Sequence, residues 1–199
     1  MFKQLTGLGK ASTLNHLLQA PFTLHSGMLD LIRTETENAR AGRKAHIIAK
    51  MNAILEQEII EALYEASQAG VKVDLIIRGV CALRPGVKGL SENIRVRSVI
   101  GRFLEHSRIF YFLAGGAEKL YMGSADWMER NFFRRIETCF PVLDVKLKRR
   151  VIREGLKPYL SDNCQSWEMD ANGAYHRKTS KAARNAAQDI LLSELATAG

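Results

Sequence analysis

Ala45-His-Ile-Ile-Ala-Lys-Met-Asn-Ala-Ile-Leu-Glu-Gln-Glu-Ile-Ile-Glu-Ala-Leu-Tyr-Glu-Ala-Ser-Gln-Ala-Gly-Val-Lys-Val-Asp-Leu-Ile-Ile77 decides the fold. Its first run, Ala45 to Lys50, reads as a short strand. Glu56 to Ala69 then sets Ile59, Ile60, Leu63 and Tyr64 on one side of a helix that Gly70 ends. Val71 to Ile77 is a second apolar strand, stopping at Arg78-Gly79. Strand, helix and strand in succession predict parallel pairing through a right-handed crossover. The chain is therefore an α/β protein, with a mixed or mainly parallel sheet and helices on both faces.

Working outward, Pro21 closes a lead-in segment over 1–22, and Thr23 is placed to cap a helix running to about Arg40, closed by Gly42. Met28, Leu29, Ile32 and Ala39 fall on its inner side. Downstream, 81–93 is a glycine-rich loop. Ile94 to Ile100 alternates arginine with aliphatics, as a strand with one wet face does. Arg108–Leu113 and Lys119–Met122 flank Gly115-Gly116 and predict a hairpin. Thr138 to Leu143 reads as a further strand, and Asp144 as the cap of a helix over 145–160. Residues 167–176 read as an exposed excursion, and 177–194 as a basic, then amphipathic, last helix with a frayed end. The body spans 23–178, and 179–199 forms a C-terminal helix and tail.

The chain has 199 residues, 46% of them hydrophobic, enough for one full core. No apolar run reaches the length of about 20 residues needed to span a bilayer, and no secretory leader is evident. Three scattered cysteines, Cys81, Cys139 and Cys164, suit a reducing compartment. The net charge of +8 asks for an anionic partner. The basic residues carry no interleaved aromatics of the RNA-binding kind, so nucleic acid is not the expected partner.

Phosphoryl chemistry is the specific expectation. Arg102-Phe-Leu-Glu-His-Ser-Arg108 sets His106 at the mouth of an apolar run, and Gly123-Ser-Ala-Asp126 follows. An imidazole can move a proton near neutral pH, and guanidiniums fork onto phosphate oxygens. A lone histidine is more often structural than catalytic; its neighbours single this one out. Arg78 stands at the carboxyl end of a predicted parallel strand, where open α/β sheets hold ligands. The candidate site is His106 as the catalytic group, Arg78 with His106 as phosphate contacts, and Arg108 and Ser124 as further phosphate contacts. Arg95 and Arg97 read as a solvated strand face, and Lys146, Lys148, Arg149, Arg150 and Arg153 as a solvated helix face. His16, His25, His46 and His176 have no carboxylate or cysteine at ligand spacing, so no protein-held metal is assigned.

His106-x-Arg108 followed by Gly123-Ser124-x-Asp126 resembles the His-x-Lys…Gly-Ser-x-Asn pattern of the phospholipase D superfamily, with arginine for lysine and aspartate for asparagine. A closer resemblance covers about 5–178. Ile47–Asn52, Leu63–Val71, Ile77–Gly86, Gly89–Arg95, Phe103–Arg108 and Ser124–Met128 are similar, in order, to the last domain of the bacterial polyphosphate kinase family.

That resemblance implies a phospholipase D-like mixed sheet at the C-terminus of a multidomain kinase. The family reversibly transfers the ATP γ-phosphate to polyphosphate through a phosphohistidine in a preceding domain. Arg78 falls on the family's nucleotide-contacting arginine and His106 on its second essential histidine. The partners implied are ATP or ADP with Mg2+, whose ligands lie outside this chain, and polyphosphate. Upstream domains carried on a separate chain, and a homo-oligomer, are both left open. The implied location is cytoplasmic, with peripheral attachment to the inner membrane open. The chain reads as a fragment of such an enzyme, inactive alone. The rival readings are a dimeric phospholipase D-like phosphodiesterase and a non-catalytic polyanion-binding module.

Overall fold

The computed structural model describes residues 14 and 16–196. Most of the lead-in, and the last residues for which fraying is expected, lie outside them. The core of the fold is the parallel trio β2 (His46–Met51), β3 (Lys72–Ile77) and β4 (Ile94–Val99). The β2–β3 register starts at His46↔Lys72 and runs through Met51↔Ile77. β2 and β3 read as near-continuous apolar runs because both faces are covered: Ile47, Ala49, Val73, Leu75 and Ile77 are buried on one face, Ile48 and Ile76 on the other. β1 (Leu18–Gln19), β5 (Arg108–Phe112), β6 (Lys119–Gly123), β7 (Thr138–Pro141), β8 (Ser166–Met169) and β9 (Tyr175–Arg177) complete nine strands in the order β1-β7-β6-β5-β2-β3-β4-β8-β9. β5 pairs antiparallel with β2, so the chain reverses its progress across the sheet between them.

One face is covered by α1 (Leu24–Arg40) and α2 (Gln57–Gln68). Met28, Ile32, Ile59 and Leu63 sink into the larger core with Phe110, Phe112 and Trp127. Glu56 caps α2: its carboxylate accepts from the Glu58 and Ile59 amides at 3.2 and 2.8 Å, satisfying two donors that the helix cannot. The other face is covered by α3 (Val145–Val151), a π-helical turn (Ile152–Leu156), α4 (Lys157–Ser161) and α5 (Ala187–Ala196). Leu156, Tyr159 and Ala187 pack there on Ile48, Ile76 and Ile109. The mixed sheet with helices on both faces is as the sequence predicts.

Four expectations need correction. Residues 167–176 are largely exposed, as expected, but they are part of the sheet: β8 and β9 form a hairpin that extends it from β4. The last helix starts only at Ala187. Leu18 and Gln19, inside the supposed lead-in, pair with Cys139 and Thr138 as an edge strand. The helix over 145–160 is interrupted by the π turn, where Gly155 lets the turn approach the sheet; a Cβ there would stand 2.4 Å from the Ile109 side chain. In addition, Thr23 does not cap α1 with its hydroxyl, which instead accepts from the Gln19 amide at 3.0 Å.

Candidate functional site

Topology gathers the polar residues. Asn52 follows β2 and Arg78 follows β3. His106 precedes β5, and Ser124 and Asp126 follow β6. Because β5 runs against β2 and β6 runs with it, all of these termini lie on one edge of the sheet, at the carboxyl ends of the parallel strands. An open α/β sheet holds its ligands at such an edge, where strand order reverses.

On this edge the Arg78 guanidinium donates to the carbonyl of Glu105, the residue before His106. Arg78 is half-buried and His106 exposed. The Nδ1 of His106 faces Asn52 Nδ2 at 3.3 Å. Asn52 is held in turn by Asp126, whose Oδ1 accepts its backbone amide at 2.8 Å. Asp126 also receives a two-pronged bond from Arg108, Nε to Oδ1 at 3.0 Å and Nη2 to Oδ2 at 3.1 Å. Burial works against ionised Asp126, but Arg108 and Asn52 more than offset it and hold its carboxyl below the usual range.

A second network lies beneath the first. Lys50 shares the sheet face of Ile48 and Ile109 and is only 3% exposed. Its ammonium lies 3.3 Å above the centre of the Tyr159 ring, donates to the Gly155 carbonyl at 3.1 Å and stands 3.5 Å from the Glu105 carboxylate. Burial pulls the Lys50 ammonium down to about 8, against the pull of Glu105. Glu105 also takes hydrogen bonds from the Tyr159 hydroxyl and from the Ser107 amide and hydroxyl. Burial raises its carboxyl, yet Lys50 and these donors bring it to about 2. The loop bearing His106 is therefore anchored on a buried ion pair. It is clipped from above as well: the Phe103 amide donates to Gln188 Oε1 at 2.8 Å, and Gln188 Nε2 donates back to the Phe103 carbonyl at 2.7 Å.

Of the four residues singled out in the sequence, Arg78 and His106 stand at this edge, joined through the Glu105 carbonyl that Arg78 donates to. Arg108 and Ser124 are brought to the same edge but are engaged internally. The Arg108 guanidinium is bound by Asp126, and the Ser124 hydroxyl donates to Glu137 and accepts from the Thr138 amide. Arg97, read as solvated, donates to the carbonyls of Tyr159 and Leu160 and pairs with Glu168. The sequence reading gave no role to Lys50, Asn52 or Glu105, and named Asp126 only as a member of the resembled motif. A lysine inside an otherwise apolar strand, and an asparagine at the carboxyl end of that strand, were the available signals.

Among the described residues no group of three or more His, Cys, Asp or Glu can hold a metal ion. The carboxylates of the edge are all engaged, Glu105 and Asp126 in ion pairs and Glu137 by the Ser124 hydroxyl and the Asn131 amide. These residues therefore do not fit a magnesium site. No helix among the described residues is long and apolar enough to cross a membrane.

The family model described as polyphosphate kinase C-terminal domain 2 matches residues 17–188. The polyphosphate kinase of Burkholderia cenocepacia (strain HI2424) is 62% identical over 192 residues, covering 96% of this chain and 28% of the relative. That of Paraburkholderia phytofirmans is 59% identical over the same span. The chain thus corresponds to little more than a quarter of the length of these curated relatives. The crystal structure of polyphosphate kinase from Porphyromonas gingivalis superposes with a TM-score of 0.93 at 37% identity, over 99% of this chain and 30% of that one. The phospholipase D family member Nuc from Salmonella typhimurium shares the fold at a TM-score of 0.56 and 14% identity, over 77% of this chain and 96% of that one. The sheet whose edge gathers Arg78, Asn52, His106 and Asp126 is thus a phospholipase D-type sheet, and the chain belongs to the polyphosphate kinase C-terminal domain family.

Proposed function

We propose that this chain forms the phosphate-handling C-terminal part of a polyphosphate kinase, an enzyme that reversibly transfers the γ-phosphate of ATP to inorganic polyphosphate through a phosphohistidine lying outside these 199 residues. The observation that carries the reading is the convergence of Arg78 and His106 on one edge, with the Arg78 guanidinium bonded to the residue preceding His106. Arg78 neutralises phosphate charge; its planar, always-charged fork suits nucleotide and polyphosphate oxygens alike. His106 is exposed on the same edge with its inner nitrogen against Asn52, and its outer nitrogen can donate to the oxygen that gains charge as a phosphoryl group leaves. Arg108 holds the frame through Asp126 rather than touching phosphate. Magnesium enters with the nucleotide, and no step here runs through it. Half of a site assembled from separate domains loses the positioning of the reactants, so the chain alone binds without turning over.

The test is a pair of measurements on the 199-residue chain. Calorimetric titration with tripolyphosphate should show binding that weakens steeply as salt rises, as charge neutralisation requires. Incubation with labelled ATP and magnesium should give neither phosphoenzyme nor labelled polymer. Salt-independent binding would overturn the polyanion reading, and robust polymer synthesis would overturn the assignment of the phosphohistidine to a region outside the chain. Binding that persists undiminished when Arg78 and His106 are both replaced would favour a non-catalytic polyanion module.

A further inference from the structure

We infer that Asn52 is a positioning residue that fixes the tautomer of His106, leaving its neutral imidazole with a bare Nδ1 and a proton on Nε2, so that His106 meets phosphate as a donor and not as a nucleophile.

The argument starts from what holds Asn52. Its backbone amide donates to Asp126 Oδ1 at 2.8 Å, and its carbonyl accepts from the Gly79 amide at 2.8 Å. The residue is pinned from both sides, and its side chain extends along the edge. The side-chain nitrogen stands 3.4 Å from Asp126 Oδ2 and 3.3 Å from His106 Nδ1.

Nitrogen and oxygen of an amide are told apart by their partners. Asp126 is ionised in its pair with Arg108, and an ionised carboxylate only accepts. The amide end facing it must therefore be the NH2 group, since the opposite flip would set two oxygens against each other. One hydrogen of that NH2 serves Asp126 and the second points to His106. Nδ1 must then offer a lone pair, and the single proton of the neutral ring sits on Nε2.

The chain of control runs from Arg108 to Asp126, from Asp126 to Asn52, and from Asn52 to His106. It gives a physical reason for an ion pair at Arg108, where the sequence suggested a phosphate contact. A ring held this way can donate Nε2–H to a phosphoryl or leaving oxygen, whereas attack on phosphorus through Nε2 would require the other tautomer and the loss of the Asn52 contact. The donor role rests on the proposed function; the tautomer does not.

The experiment is a long-range proton–nitrogen correlation spectrum of the chain labelled with 15N-histidine at pH 8. The five histidines are sorted by the signals lost in His106→Gln. In the parent, His106 should show one tautomer, with Nδ1 bare and Nε2 protonated, and adding tripolyphosphate should shift Nε2. Asn52→Asp puts an acceptor where the donor stood and should invert the tautomer and abolish that shift. Because a second carboxylate beside Asp126 risks misfolding, Asn52→Leu serves as the companion: with no partner, the ring should show both tautomers in exchange. A protonated Nδ1 in the parent, or an unchanged ring in both variants, would overturn the inference. A parent ring with the stated tautomer whose Nε2 ignores tripolyphosphate would instead sink the polyphosphate reading of this edge while leaving the role of Asn52 standing.

Discussion

Two regions of the molecule are rich in cations, and they are built in opposite ways. On the helix from Val145 to Ser161, Lys146, Arg149, Arg150 and Arg153 are exposed, and the ion pairs of Arg150 and Arg153 with Glu154 lie in solvent. At the carboxyl edge, Lys50 and Arg108 are largely buried, each against a carboxylate that is held by further donors. Solvated pairs are worth about 0–1 kcal/mol each and rearrange freely. Buried charges cannot rearrange, because an uncompensated one has no water to turn to. Net charge therefore says that the protein meets an anion, while the buried, fully partnered cations say where side chains are being held still.

The sharpest way to break this contrast is Asp126→Ala. It leaves Arg108 buried without its carboxylate and frees the Asn52 amide, and should destabilise the chain by about 3–5 kcal/mol in urea denaturation. A loss below about 1 kcal/mol would reduce this pair to the class of the helix pairs.

Next comes the pH dependence of Lys50. Its ammonium is pulled to about 8 in the folded chain from an ordinary value of 10.5. Between those values the unfolded chain holds a proton that the folded one has released, so stability should rise with pH across that window. Several tyrosines and cysteines with raised values act in the opposite sense, so the effect is read as the difference between the parent and Lys50→Met. That difference should change by up to about 3 kcal/mol. Glu105 supplies the acid limb: held near 2 instead of 4.5, its contribution is complete above 4.5 and is lost as pH falls toward 2. In Glu105→Gln that limb should flatten.

Arg78→Ala tests the half-buried cation of the edge. It should cost tripolyphosphate binding about 1.5–3 kcal/mol, tenfold or more by titration. Arg149→Ala, on the solvated helix, should change stability by less than about 0.5 kcal/mol and affinity by less than twofold. An equal loss from both arginines would mean that polyphosphate follows bulk charge and not the edge.

The fold was legible where burial imposed a pattern. Residues 45–77 announce themselves because β2 and β3 are covered on both faces and α2 on one. The β8–β9 hairpin was not legible, because an outer hairpin carries no apolar alternation: Trp167, Glu168, His176 and Arg177 are exposed. The start of α5 was misplaced for a related reason, since a basic run looks helical by composition while 178–186 is irregular. At the site, Arg78 and His106 could be read from strand ends and motif. Their holders could not, because the pairing of Arg108 with Asp126 and of Lys50 with Glu105 depends on strand register and on a helix that returns from far along the chain.

The clip formed by Gln188 on Phe103 has a consequence in time. Gln188 belongs to α5, the segment set apart as a tail by the sequence, yet its amide grips both backbone groups of a residue in the His106 loop. Without that grip the stretch between Val99 and Arg108 would be held chiefly by Glu105. A free segment of this size samples its positions in roughly 10–100 ns, and without the grip that sampling would reach the arm from Gly101 to Leu104 while Glu105 still pins the base of His106. With the grip, that arm moves only when a packed helix opens, so the loop is timed from two places, its own buried ion pair and α5.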